Sequence, residues 1–276
     1  MKLYEQGKNY IKILDSSSFN IEHILECGQV FCFRKVNEHY EVFPEDKYAE
    51  IYNEDGQYLI KTQTPEFFVK WFDLDRDYEK IKQDLIKFPI MKNPIYFGYG
   101  IRILNQNLFE TLISFIISAN NNIKRIKGIL LKLREALGDK NSTGYSFPSR
   151  EKMLDKDESF YKSLGMGYRA SYIVKVLKQV DEKTLEEWSE LETCALRNRL
   201  IALAGVGPKV ADCILLFGYH KGDVFPVDTW IEQMYNKNFI PLKNRNIIRE
   251  TLTEMFGSLS GYAQQYLFYY QRSFLN

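Results

Sequence analysis

At 276 residues, with 45% hydrophobic and 15% aromatic side chains, the chain holds enough apolar mass for one large or two modest cores, which excludes a disordered polymer. Its four cysteines (Cys27, Cys32, Cys194, Cys213) and three histidines (His23, His39, His220) form no disulfide framework and no zinc or Cys-x2-Cys spacing, so no cofactor or metal is expected. The net charge of +1 argues against bulk polycation binding, but residues 1–92 carry 13 basic and 17 acidic side chains and residues 93–276 carry 24 and 19, so the positive field lies on the second part.

The opening stretch Met1-Lys2-Leu3-Tyr4-Glu5-Gln6 has no apolar core of signal-peptide type, and apolar runs such as 112–117 are too short to span a bilayer. The chain is therefore expected to be soluble, intracellular and monomeric. Residues 10–71 read as β-rich. Strands at 29–36 and 39–43 flank a turn at Asn37-Glu38, and a strand at 57–62 follows the turn Glu54-Asp55-Gly56. From about 66 onward helical periodicity takes over, with helices expected at 66–72, 77–87, 106–119, 123–137, 150–155, 158–163, 168–179, 184–188, 193–203, 208–217, 229–236, 244–256 and 260–272. A boundary near Asn93-Pro94 divides a β-rich part, 1–92, from a helical part, 93–276, so the fold class is α+β.

The chemistry-bearing motif lies between 203 and 228: Leu203-Ala204-Gly205-Val206-Gly207-Pro208-Lys209-Val210-Ala211-Asp212, then Pro226-Val227-Asp228. Gly205 and Gly207 can take positive φ in a tight hairpin between helices, and Pro208 suits a first helical position. The free N–H groups of that helix end offer a seat for phosphate. Lys209 falls in the first turn, where the helix dipole disfavours a cation by about 0.3–1 kcal/mol and so favours the free amine. An unperturbed lysine is neutral only about once in 2,500 times at pH 7, so burial and the dipole are expected to supply the activation. The ordinary alternative is a solvated surface lysine. Cys213, four residues on, shares the helical face of Lys209. Asp228 reads equally as the N-cap of the next helix, with Thr229 and Glu232 as a competing capping box.

This string resembles the helix-hairpin-helix of DNA glycosylases, and a lysine at position 209 resembles their bifunctional glycosylase/lyase branch. Four further segments are similar to the eukaryotic type of 8-oxoguanine DNA glycosylase/AP lyase. In Glu26-Cys27-Gly28-Gln29-Val30-Phe31 the resemblance implies that Gly28 offers its carbonyl to the N7 proton of the oxidised base, with Phe31 beside it. In Ser118-Ala119-Asn120-Asn121-Asn122-Ile123-Lys124-Arg125 it implies that Asn120 fills the space of the flipped base and Arg125 contacts the orphaned cytosine. In Leu164-Gly165-Met166-Gly167-Tyr168-Arg169-Ala170 it assigns Tyr168 as a wedge and Arg169 as a second cytosine contact. In Ser260-Gly261-Tyr262-Ala263-Gln264-Gln265-Tyr266-Leu267-Phe268 it assigns Gln264 to the Watson–Crick edge and Phe268 to the base face, with Cys213 on the opposite wall. Gly205, Gly207 and Val210 are placed on the DNA backbone. Each residue also has a plain structural reading: turn or bulge for Gly28, cap for the asparagines, core for Tyr168 and Phe268.

The resemblance implies an N-terminal twisted antiparallel sheet beside a helix-hairpin-helix glycosylase domain. It implies excision of 8-oxoguanine opposite cytosine from duplex DNA, with Lys209 attacking C1′, Asp228 supporting positive charge on the sugar, and β-elimination through a Schiff base. The sequence departs from the family at Trp230, where a phosphate-contacting histidine is usual, and at Ala119, usually small and polar. Two other readings remain: a monofunctional alkylpurine glycosylase that uses water, and a non-catalytic DNA-binding module.

Overall fold

The structure, a computed structural model, describes residues 3–54 and 56–274. Asp55, in the expected 54–56 turn, and Met1-Lys2 lie outside the described residues. Six strands, β1 (Tyr4–Gln6), β2 (Tyr10–Ile13), β3 (Phe33–Val36), β4 (His39–Val42), β5 (Ala49–Glu54) and β6 (Gln57–Thr62), form one sheet. Its order is β1-β2-β6-β5-β4-β3, with every neighbouring pair antiparallel. Alternation sets its faces: Ile11, Ile13, Tyr40, Ile51, Tyr58 and Ile60 are buried, while Arg34↔Glu41 and Glu50↔Lys61 stand opposite one another across the strands. Asn37 takes φ 50° in the β3–β4 turn, a conformation asparagine tolerates better than most residues.

The first expected strand, 29–36, is too long at its start. Gln29 is fully buried. Its side chain donates to the carbonyls of Ile24 (2.9 Å) and Arg102 (2.7 Å) and accepts from the Leu104 amide (2.9 Å). Pairing begins only at Phe33. Just before it lies a short helix, Ile21–Glu26, capped by Asn20, which accepts from the His23 amide at 3.1 Å.

Helices make up most of the rest, interrupted by a two-stranded antiparallel hairpin of Lys140–Asn141 and Gly144–Tyr145. Ile123–Leu137, Glu158–Ser163 and Pro208–Phe217 coincide with the expected windows, and most others differ at their ends by one or two residues. Asn93 and Pro94 lie inside a short helix, Lys92–Phe97, that packs on the C-terminal helix Ser260–Phe274. Two apolar cores form. One joins the inner sheet face to Phe68, Trp71, Phe72, Leu74 and Leu104; the other runs through the helical body and takes in Cys27 and Phe31.

The cores thus exchange segments, and buried polar bonds fix the joint. Arg102, fully buried, donates to the carbonyls of Phe72 (3.0 Å), Ser18 (3.0 Å), Arg76 (2.9 Å) and Asp73, and lies 4.0 Å over the Tyr78 ring. Removing such a donor strands several carbonyls at about 1–3 kcal/mol each. The C-terminal helix closes the joint from the other side: Gln265 donates to the Cys27 carbonyl at 2.7 Å. Residues 26–28 are carried this way from the sheet part into the helical body. No helix among the described residues is long and apolar enough to cross a membrane.

Candidate active site

The helix Thr193–Ile201 leads through a hairpin into Pro208–Phe217. Gly205 takes φ +81°, and a Cβ there would sit 2.7 Å from Tyr172 Cβ, so both conformation and space require glycine. Gly207 does not share that role: it is the N-cap with φ −85°, and a Cβ there would meet open space. Pro208 opens the helix as expected. Val210, placed on DNA in the sequence reading, has its side chain buried in the core. Only its backbone amide, among the first-turn donors of the helix, remains for phosphate.

Lys209 and Asp228 line one cavity of about 510 Å³, together with Gly28, Phe31, Phe115, Phe268, Trp230 and Arg272, and with Ser118, Asn121 and Asn122 at one side. Lys209 as a whole is half-buried, but its ammonium reaches 5.5 Å over the Phe115 ring. Phe115 in turn stacks on Phe217 and meets Phe31 edge-on. Burial is the largest single influence on the Lys209 amine and pushes its pKa down; Cys213 and Asp228 together outweigh it, and the net direction is up. The part owed to Cys213 requires a thiolate, whereas burial holds that thiol above its ordinary value. Asp212 contributes less because Arg197 neutralises it at 2.6 Å. With the Cys213 thiol neutral, burial is the largest influence left on the Lys209 amine and acts in the direction expected from the sequence, with Asp228 opposing it.

Asp228 is the N-cap of Thr229–Asn238: one carboxylate oxygen accepts from the Ile231 amide at 3.0 Å. The competing capping box does not form, since Glu232 is drawn to Arg245 at 2.7 Å. A cap of this kind fixes the carboxylate at the cavity wall and is worth about 1 kcal/mol to the helix.

The base-sized end of the cavity lies between the two parts of the fold. Gly28 has φ +84°, and a Cβ on it would stand 3.1 Å from both Phe268 Cε1 and Arg272 Nη1. Gln264, Phe268 and Arg272 follow one another at intervals of four and so share one face of the C-terminal helix. Gln264 is 5% exposed, and its Oε1 has no hydrogen-bond partner among the described residues. It does not line the cavity itself. Cys213 also lies behind the wall, buried in the core. Arg272, Trp230 and Phe115 are among the wall residues to which the sequence assigned no role.

On the far side of the cavity, Asn120 is exposed with φ 49°, at the tip between Leu108–Ser118 and Ile123–Leu137. Asn122 caps the second helix by accepting from the Arg125 amide at 2.9 Å. Tyr168 is 51% exposed, with its hydroxyl on the Ala119 carbonyl at 3.2 Å. Arg125 is exposed and donates to the Gly165 carbonyl at 3.0 Å. Arg169 departs from its expected role as a second cytosine contact. It is 3% exposed and spends its donors on the carbonyls of Ala119 (2.8 Å), Asn120 (2.7 Å) and Met166 (3.4 Å). It is a strut that holds the asparagine loop to the helix Arg169–Gln179.

A family model described as the N-terminal domain of 8-oxoguanine DNA glycosylase matches residues 12–112. One described as the HhH-GPD superfamily of base excision DNA repair proteins matches residues 113–257. The chain is 35% identical over 173 residues to an N-glycosylase/DNA lyase of Saccharomyces cerevisiae, covering 56% of this chain and 46% of that one. It is 33% identical over 234 residues to a probable N-glycosylase/DNA lyase of Methanothermobacter thermautotrophicus, covering 73% and 72%. It therefore spans about half the length of the first relative and nearly three quarters of the second. Among solved structures, the 8-oxoguanine glycosylase/lyase of Clostridium acetobutylicum, in complex with double-stranded DNA carrying cytosine opposite 8-oxoguanine, superposes with TM-score 0.92 at 34% identity, covering 99% of both chains.

Proposed function

The chain belongs to the 8-oxoguanine DNA glycosylase family within the HhH-GPD superfamily, and on that premise we propose that it excises 8-oxoguanine opposite cytosine from duplex DNA and then cleaves the abasic strand as a lyase. The observation that carries this reading is the meeting of Lys209, Asp228, Gly28 and Phe268 at one cavity. The base cannot be reached within the stack, so the damaged nucleotide turns out into the cavity. The Lys209 amine, once it has lost a proton, bonds to C1′ as the bond from C1′ to the base nitrogen breaks and its electron pair leaves with the base. Asp228, held by its cap, stabilises the positive charge that gathers on the sugar. Opening of the sugar ring gives a Schiff base, whose electron-withdrawing C=N allows loss of the C2′ proton and departure of the 3′ phosphate.

Recognition is divided along the C-terminal helix. The unpartnered Gln264 carbonyl oxygen is an acceptor, and the Watson–Crick edge of the guanine ring presents N–H donors. Leaving such an atom unpaired costs about 1–3 kcal/mol, and a bound purine is proposed to relieve this once the Gln264 side chain turns out from behind the cavity wall. Phe268 supplies the stacking face, and Gly28 brings backbone close to the five-membered ring. Asn120, Tyr168 and Arg125 face the duplex, with the guanidinium of Arg125 suited to the N3 and O2 acceptors of the unpaired cytosine. Borohydride reduction on an 8-oxoguanine:cytosine duplex is expected to leave protein covalently on DNA. Base release without a trapped adduct would support the water-using alkylpurine mechanism instead, and binding with neither would leave a DNA-binding module.

A further inference from the structure

Arg272 occupies a position in this cavity that the reaction just described does not use. It lies near the end of the helix Ser260–Phe274, one turn beyond Phe268, with its guanidinium carbon 5.3 Å over that ring. Its Nη2 donates to the Glu26 carbonyl, which pins the guanidinium against the segment that carries Gly28. The other terminal nitrogen, Nη1, is buried and has no hydrogen-bond partner among the described residues. It stands 3.1 Å from the point where a Gly28 Cβ would lie. A buried guanidinium N–H without an acceptor is costly, and the Arg272 side chain lines the cavity.

The two unpartnered atoms of this helix face are of opposite kind: an acceptor on Gln264 and a donor on Arg272, with the Phe268 ring between them. Eight residues of helix separate their Cα atoms by about 12 Å, comparable to a purine with a side chain at each end. Oxidation changes guanine at two adjacent atoms. N7 gains a hydrogen and becomes a donor, and C8 gains an oxygen, an acceptor. Resting on the proposed glycosylase reading, we propose that Arg272 is a specificity-determining residue whose Nη1 donates to the C8 oxygen of the lesion, while the adjacent Gly28 backbone receives N7–H. Unmodified guanine offers hydrogen at C8 and leaves Nη1 unpaired, so the guanidinium adds to discrimination against the normal base.

The test couples a change on the protein to a change on the base. Single-turnover excision is measured for wild type, Arg272→Met and Arg272→Lys on duplexes carrying 8-oxoguanine or 8-thioguanine opposite cytosine. The sulfur analogue keeps the N7 proton but is a weak acceptor. Wild type should excise the oxygen lesion faster than the sulfur analogue by about tenfold to a hundredfold, the range expected for a hydrogen bond from a charged donor. In Arg272→Met that ratio should collapse toward one, and Arg272→Lys should fall between. Borohydride trapping on a duplex with a preformed abasic site, where no base is read, should be equal for all three proteins. If Arg272→Met slows both lesions by the same factor, or also loses abasic-site trapping, Arg272 only supports the helix and the assignment is wrong. Failure of the wild type itself to trap on abasic DNA would overturn the lysine mechanism, a result separate from any behaviour of Arg272.

Discussion

The two sides of the cavity are built differently. On the side proposed to receive the lesion, Asp228 is tied into buried structure by its cap, Gly28 by the Gln29 and Gln265 bonds on either side of it, and Phe268 by its place between Gly28 and Arg272. On the side proposed to face the opposite strand the residues are presented: Asn120 and Arg125 are exposed and Tyr168 is half out in solvent, with the buried Arg169 strut beneath them. A site that must tell two bases apart by a single proton and oxygen needs fixed geometry, whereas a wedge into the groove needs reach. The contrast predicts that lesion-side substitutions alter chemistry with binding retained, and that opposite-side substitutions alter context preference with chemistry retained.

The largest effect should come from Lys209→Gln. It is expected to abolish borohydride trapping while damaged-duplex binding stays within about tenfold, roughly 1.4 kcal/mol, measured by gel shift on an 8-oxoguanine:cytosine duplex. Efficient trapping by this variant would assign the nucleophile to another amine.

Next is Asp228→Asn, which keeps a capping oxygen but removes the charge. Excision should slow by about 10²–10³-fold, as when a transition-state stabiliser is lost, with the melting temperature nearly unchanged. The same variant reports on pH. Burial lowers the Lys209 pKa in the free protein and Asp228 raises it, so the charge of Asp228 favours the protonated amine on folding. That contribution to stability is present below the ordinary lysine range and is lost as pH rises through the value of Lys209 itself. The rate should correspondingly climb about tenfold per pH unit on the acid side of that ionisation. Asp228→Asn should move the climb to lower pH, and an unmoved profile would detach Asp228 from the amine.

Legibility in the sequence follows the same contrast. Lys209 and Asp228 could be read because local rules place them: proline at a first helical position, aspartate at a cap, and a glycine that the hairpin requires. The expected 123–137 and 208–217 helices were legible for the same reason. Rules of short range failed where distant chain intervenes. Gln29 reads as a strand residue until Arg102 and Leu104 arrive to bond its amide. Arg169 reads as a second cytosine contact until the Ala119 and Asn120 carbonyls surround it. Arg272 looks like an ordinary last-turn basic residue, well placed for the helix dipole, until the C-terminal helix is laid against Glu26 and Gly28. Gly207 shows the converse: its residue type suggested a positive φ that its capping role does not use.

The smallest of these effects separates the two arginines that the sequence treated alike. Arg125→Ala should leave thermal stability unchanged and reduce the preference for cytosine opposite the lesion by about tenfold, the value of one good base contact. Arg169→Met should lower stability by about 1–3 kcal/mol, because it strands buried carbonyls, and should loosen the asparagine loop. Equal, stability-neutral losses of preference in both variants would return Arg169 to the groove.

The central claim is that one amine, Lys209, performs the chemistry inside a cavity that also reads the base. Wild-type protein reduced with borohydride on an 8-oxoguanine:cytosine duplex, digested and mapped by mass spectrometry, tests it most directly. A sugar adduct is expected on the peptide containing Lys209 and on no other. An adduct on another lysine, such as Lys124 or Lys127 beside the asparagine loop, or base release with no adduct at all, would contradict it.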